Sequence, residues 1–437
     1  MSTLSYDQLR ALDARHVWHP FTQVQTAPQP ILALGAKGAV VYAADGSEYV
    51  DLVSSWWVNL HGHGHPAIAQ AVADQALRME QVIFAEFTHE PAVRLAARVC
   101  AALPEPLNRV FYSDDGSTAV EVALKMARQY WSNLGQDRGV FIAFEGGYHG
   151  DTVGAMSAGR SSGFFGAWEN MLFPVEVVPF PATWNDDGDV EAKEAVTLQA
   201  LDRIFESQAG QIAGVIIEPL IQGAAGMRMC RPQFLKALEA KVRQHGTLLI
   251  LDEVMTGFGR TGDLFACVKA GIVPDLVCLS KGLTGGFLPL SATVATDAIH
   301  AAFLDQDIGR AFLHGHSYTA NPIGCAAGLA SLDLLEAPEC RQRILDIAAI
   351  HAERLERLTK KMPKLAAPRQ CGTVAAFELP GQAYGSAASA SLKARFMRRG
   401  LLIRPLGGVL YMLPPYCIED RQLHLAWDVV EEVLTGL

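Results

Sequence analysis

Three short apolar runs in this sequence each end in an ionisable side chain. "AGVIIE" stops at Glu218, "TLLILD" at Asp252 and "DLVCLSK" at Lys281. Each run has the length and composition of a buried strand, and in open α/β sheets ligands gather outside the carboxyl ends of the strands. An amine and a carboxylate brought together there suit covalent chemistry on a carbonyl compound: the amine attacks, and the carboxylate stabilises positive charge on a bound heterocycle. Two further strand ends extend the set. "RVFYS" runs into "DDGSTAVEVALKMA", which places Gly116 and Ser117 at a helix N-terminus, where free amides and a hydroxyl suit a phosphate. The same serine would equally serve as an ordinary helix cap. "GVFIAF" leads into "EGGYHGD", where the Tyr148 ring can lie on a planar ligand and His149 or Asp151 can shape the pocket; the plain alternative is a Gly-rich turn. Glu218 and Asp252 have a plain alternative too, as helix caps or ion-pair partners.

The stretch "TLLILDEVMTGFGRTG" contains G-x-G-x-x-G at Gly257, Gly259 and Gly262. A dinucleotide site would need the pyrophosphate to rest on a helix N-terminus directly after the strand. Here Asp252 and Glu253 stand in its way, and the following "DLFACVKAG" has no strong amphipathic pattern. Lys281 decides the matter. A lysine, an aspartate, a helix-end phosphate site and an aromatic face together match the needs of pyridoxal 5'-phosphate, with Lys281 as the Schiff-base lysine and Asp252 keeping the pyridine nitrogen protonated. The glycines are then turn residues beside the cofactor.

The elements that position these residues follow from the pattern around them. With 437 residues, half of them hydrophobic, the chain can bury a large core and divide into a large and a small domain. An N-terminal helix starts at a Ser5/Gln8 capping box, and residues 31 to 53 alternate short β-like runs with turns, as a small sheet would. From about residue 65, helices ("HPAIAQAVADQALRME", "STAVEVALKMARQYW", "RPQFLKALEAKVRQHG") alternate with the short strands, which predicts a mainly parallel sheet flanked by helices. One long helical stretch runs from Asn321 to about Met362, and a compact α+β unit follows it. The expected division is 1–64 as the N-terminal segment of a small domain, 65–325 as the large domain, and 326–437 as the C-terminal part of the small domain with its linking helix. The Asp-rich "TWNDDGDVEAKE" is expected to be a surface excursion.

A net charge of −10 and pI near 5.7 disfavour nucleic acid or an anionic membrane as partner. The eight cysteines form no C-x-x-C pair, so reduced thiols are expected rather than disulfides or zinc. "MSTLSYDQLRALDARHVWHP" lacks an apolar signal region, and the cytosol is the expected compartment.

With these residues in place, the sequence resembles the class III aminotransferases, pyridoxal-phosphate enzymes of fold type I, over nearly its whole length. "LLILDEVMTGFGR" and "DLVCLSKGLTGG" are the most specific stretches. "VWHPFTQ", "SSWWVNLHGHGHP", "ALKMARQYW", "GYHGDTVGAMS", "IIEPLIQGAAGMRM", "SATVAT", "LIRPLG" and "YMLPPY" are most similar to the branch of biotin synthesis that aminates a long keto-amino acid with S-adenosylmethionine as donor. The resemblance implies that Lys281 and Asp252 are catalytic, and that Gly116, Ser117, Tyr148 and Glu218 also hold the cofactor. It further implies a homodimer in which Gly315, His316 and Ser317 reach the neighbouring site. Phe21, Trp56, Trp57, Tyr148, Arg260 and Tyr411 would line the substrate pocket, with Arg404 binding the substrate carboxylate. Phe21 stands where that branch typically has a tyrosine, His316-Ser317 replaces a Pro-Thr pair, and Asp115 precedes Gly116 where a small polar residue is more usual.

Other readings share some of these residues. His61, His63 and His65 in "HGHGHP" alternate as metal ligands on a strand would, but no carboxylate or thiol at ligand spacing completes them, and no metal is expected. Lysine as donor, an ω-amino acid aminotransferase acting on β-alanine or γ-aminobutyrate, and a mutase or racemase would all keep the cofactor residues. A binding protein without catalysis would not need Lys281.

Overall fold

The computed structural model describes residues 4–379 and 387–436. Its centre is a seven-stranded sheet in the spatial order Leu107–Ser113, Ser291–Thr296, Leu276–Leu279, Leu248–Asp252, Ile212–Ile217, Val140–Phe144, Glu176–Val178. The last five run parallel to one another, and Ser291–Thr296 is antiparallel to both neighbours. The apolar runs explain why the sheet lies inside. Ile216, Ile250 and Cys278 point into one core with Ala119, Ala123 and Ala127 of the helix Gly116–Asn133, whereas Val215, Ile217, Leu249, Leu251, Val277 and Leu279 point into the other, with Phe234 and Leu238 of the helix Pro232–Gln244. Alternate residues of one strand thus feed opposite cores, and each fully buried aliphatic side chain contributes about 2 kcal/mol. In the five parallel strands polar side chains stand only at the ends, and Asp252 is one of them.

Both ends of the chain meet in a second sheet. Ala33–Lys37, Val40–Ala43 and Glu48–Asp51 form an antiparallel meander, and Leu401–Leu402 joins Glu48–Asp51 in parallel. A third sheet is made of Ala366–Cys371, Val374–Glu378 and Val409–Met412.

Two expectations are corrected. The stretch from Asn321 to Met362 is two helices, Pro322–Glu336 and Pro338–Lys361, broken at Ala337 (φ −61°, ψ 136°). Proline disfavours helical backbone in the residue before it and is well placed at a helix's first turn, so Pro338 ends one helix and starts the next. The Asp-rich stretch is at the surface as expected, but its last five residues, 190–194, are the start of a helix, Val190–Ser207, rather than loop. The Ser5/Gln8 capping box is present as expected. All eight cysteines are free thiols, and no helix among the described residues is long and apolar enough to cross a membrane.

Candidate active site

Parallel pairing sets Asp252 opposite Cys278 and Leu251 opposite Ile217, so Glu218, Asp252 and Lys281 emerge along one edge of the sheet. They line a cavity of about 650 Å³ together with Gly116, Ser117, Tyr148 and His149. Asp252 Oδ2 accepts a 2.7 Å hydrogen bond from His149 Nδ1, and Oδ1 accepts 3.1 Å from the Val254 amide. Burial by itself would push the His149 pKa down, but the Asp252 hydrogen bond and the charges of Asp252 and Glu218 outweigh it and the net shift is upward. Glu218 accepts from the amides of Tyr148 (3.0 Å) and Gly223 (2.9 Å), and burial, against the His149 charge, raises its pKa to about 7. Lys281 is pushed below its ordinary pKa by burial, with Asp252 and Glu218 pulling the other way, which favours a neutral, nucleophilic amine. Its backbone sits at φ +42°, a conformation rare for a side-chain-bearing residue and held by its surroundings. Glu253, the second acid of the pair, faces elsewhere: it accepts from the amides of Ala266 (2.6 Å) and Cys267 (2.8 Å).

The opposite wall is the N-terminus of Gly116–Asn133. Its cap is Asp115, which accepts from the Thr118 amide at 2.9 Å, so the cap reading of Ser117 is corrected. Ser117 Oγ instead lies 2.8 Å from Thr152 Oγ1 and accepts from the Thr152 amide at 2.8 Å. The first amides of a helix have no partner within it. A Cβ on Gly116 would meet Val254 Cγ1 at 2.6 Å, so only glycine allows the backbone to lie against the Asp252–Val254 turn. A buried lysine, a histidine-backed aspartate and a backbone cradle closed to larger residues fit pyridoxal phosphate. Lys281 would hold its aldehyde carbon, Asp252 its ring nitrogen, and the Gly116–Ser117 turn its phosphate.

Lys281 also opens on a second cavity of about 290 Å³, lined by Phe21, Trp56, Trp57, Tyr148, Arg404 and Tyr411 among others. The Arg404 guanidinium lies 4.3 Å from the Trp56 ring, and Trp57 Nε1 donates to Tyr411 Oη at 3.1 Å. Trp56 and Trp57 are aimed by a turn with positive φ at Ser54 (50°), Ser55 (62°) and Trp57 (66°), each costing about 1–3 kcal/mol. Asp51, fully buried, holds that turn: it accepts from Val53 N (3.1 Å), Ser55 N (2.6 Å) and His63 Nε2 (2.9 Å).

Not every expected residue is here. Arg260 lines neither cavity; it is buried, donating to Pro414 O and Asn59 O at 2.9 Å each. The Gly257–Gly262 turn lies against the C-terminal part of the chain, Gly259 facing Ile344 and Tyr416, so its glycines make a turn but do not border the Lys281 cavity. Gly315, His316 and Ser317 line a separate cavity of about 600 Å³, with His316 Nδ1 3.5 Å from Asp114 of the first. In "HGHGHP" His61 bonds to Ser331 (3.1 Å) and meets the His65 ring edge to face (centroids 6.2 Å apart), whereas His63 turns to Asp51. Thr152 and Phe164, which no sequence signal marked, belong to the two cavities.

The class-III aminotransferase family profile matches residues 21–434. The chain belongs to the class-III aminotransferases. Their cofactor is pyridoxal 5'-phosphate, and their shared fold is the α/β architecture described above. Among its relatives, the adenosylmethionine-8-amino-7-oxononanoate aminotransferase of Synechococcus elongatus is 55% identical over 96% of this chain and 98% of its own. The enzyme of the same name from Geobacter sulfurreducens is 39% identical, over 97% and 96%. The crystal structure of its namesake from Methanocaldococcus jannaschii superposes with a TM-score of 0.91, 32% identity and 99% coverage of both chains. An amine transaminase from an uncultivated Pseudomonas species, solved in its PLP-bound form, gives a TM-score of 0.88 at 28% identity, covering 96% of this chain and 98% of that one.

Proposed function

We propose that this aminotransferase converts 8-amino-7-oxononanoate to 7,8-diaminononanoate in biotin synthesis, with S-adenosylmethionine as amino donor. The observation that carries this reading is Lys281 standing between two cavities, one bordered by the helix N-terminus at Gly116 and Ser117 and the other by aromatic walls and Arg404. Bound pyridoxal phosphate supplies an electron sink for a carbanion formed next to the transferred nitrogen. Lys281 Nζ accepts and returns the proton at that carbon. Asp252, backed by His149, holds positive charge at the ring nitrogen. Arg404 has the geometry for the distant carboxylate of the long acceptor, and the tryptophans keep water from its aliphatic chain. The relatives' names support both substrates.

Residues 65–325 form the cofactor-binding domain in this reading and the two chain ends the smaller one. A homodimer in the cytoplasm completes the site, with Gly315, His316 and Ser317 of each copy serving the phosphate of the other; Ser317→Ala should then release cofactor more readily, and a fully active monomer would contradict it.

Phe21 favours a second donor. It lacks the hydroxyl found in the S-adenosylmethionine-using branch, and lysine is the alternative. Holoenzyme mixed separately with S-adenosylmethionine, lysine, β-alanine and diaminononanoate decides, by the loss of the cofactor's visible absorbance. Reaction with diaminononanoate and S-adenosylmethionine supports the assignment. Brisk reaction with lysine alone overturns the donor, and reaction with β-alanine alone overturns both substrates.

A further inference from the structure

The cavity beyond Lys281 is walled by rings. Phe21 meets Trp56 edge to face (centroids 5.7 Å apart, 65°) and meets Phe164 at 6.2 Å and 90°. Phe164 in turn meets Tyr148 at 5.9 Å and 78°. Among the described residues lining this cavity there is no carboxylate, and its charged members, Lys281 and Arg404, are both basic side chains. Trp56 already holds one cation on its face, the Arg404 guanidinium. For a cationic ligand entering here the rings are the main attractive surface, since aromatic faces draw cations within about 6 Å, and they act against the positive charge of Arg404.

S-adenosylmethionine carries a permanent positive charge on sulfur. A sulfonium has no proton to donate, so a wall of hydrogen-bond acceptors would be no better matched to it than ring faces are. We propose that Phe164, together with Phe21 and Trp56, receives the sulfonium of the donor and selects it over the uncharged thioether that remains when the S-methyl group is lost. This rests on the donor reading above. It also gives Phe21 a role that a missing hydroxyl does not impair, because a phenyl face keeps the attraction.

The test separates this selection from packing. In the holoprotein carrying Lys281→Ala, where donor binds without turnover, dissociation constants are measured by calorimetry for S-adenosylmethionine and for S-adenosylhomocysteine, its uncharged counterpart. The charged ligand should bind at least about tenfold more tightly, Phe164→Leu should reduce that preference about tenfold, and Phe164→Tyr should retain it within about twofold. A merely structural Phe164 would weaken both ligands equally in Phe164→Leu, and that result, or equal affinities at the outset, overturns the proposal. The wild-type half-reaction is read alongside. Reaction with S-adenosylmethionine combined with an unmoved preference sinks the ring cage alone, whereas no reaction with it removes the donor assignment and the cage together.

Discussion

His149 Nδ1 lies 2.7 Å from Asp252 Oδ2, with both side chains buried and 103 residues apart in the chain. The aspartate proposed to face the cofactor's ring nitrogen thus has a buried imidazole partner, and the two form an ion pair when His149 is protonated. His149→Gln keeps a possible donor but no charge, and should lower kcat on the order of tenfold, the worth of about 1.4 kcal/mol in a charge-assisted bond. Because the folded pKa of His149 is raised, the pair's contribution to stability is present below the unfolded value of about 6.5 and is lost as pH rises through the folded value. The melting-temperature gap between wild type and His149→Gln should thus be wider at pH 6 than at pH 9. A gap that widens with pH would show that the histidine is neutral in the folded protein.

Lys281→Ala should reduce turnover at least about a thousandfold, since it removes both the attachment point and the proton carrier. Burial lowers the lysine's folded pKa, so the fold holds this amine at a cost that an alanine does not carry. The cofactor-free variant should consequently melt no lower than cofactor-free wild type at pH 7. Steady turnover in single-cycle and multiple-cycle assays would exclude Lys281 as the catalytic amine.

Arg404→Ala should raise the acceptor's KM about ten- to a hundredfold and affect the donor less, as expected for loss of a bidentate guanidinium–carboxylate pair. Arg404→Lys keeps the charge without the fork and should fall between the two. If the lysine variant matches wild type, simple charge attraction is enough and the bidentate geometry is wrong.

A fourth prediction lies away from the site. His351, on the helix Pro338–Lys361, is buried against the helix Asp420–Thr435, accepting from Trp427 Nε1 at 3.1 Å, and burial pushes its pKa down to about 3. Between pH 6.5 and 3 the unfolded chain binds a proton there and the folded chain does not, so stability drops with falling pH by up to about 1.4 kcal/mol per unit. His351→Gln should start less stable at pH 7, yet lose stability less steeply on acidification. Urea titrations at pH 7, 5.5 and 4.5 measure the slope; an unchanged slope would mean that His351 takes up its proton in the fold.

What could be read from the sequence follows physical range. Glu218, Asp252 and Lys281 were legible because each ends an apolar run, and the period of such runs fixes where polar residues can stand. Gly116 and Ser117 were legible as a helix start but not as to which residue caps it, since Asp115 and Ser117 both have suitable oxygens. The break at Pro338 was available in the residue itself. The direction of Arg260 was not, because Pro414 and Asn59 approach it from distant parts of the chain. The positive φ values of Ser54, Ser55 and Trp57 leave no mark in residue type, and Phe164 sits in a loop without periodicity.

The joining of both chain ends in one sheet sets an order of events during synthesis. Leu401 pairs with Val50, and Trp57 bonds to Tyr411 across 354 residues. A nascent chain emerges from its N-terminus at about 5–20 residues per second, so the strands carrying Asp51 wait tens of seconds for their last partner, with Leu52 and Val53 as yet uncovered. The parallel sheet around Asp252 and Lys281 can form earlier, from residues already made. The proposed seat of the cofactor can thus assemble before the proposed substrate pocket, and a chain cut short before Arg404 would carry Lys281 without the residues proposed to choose what it reacts with.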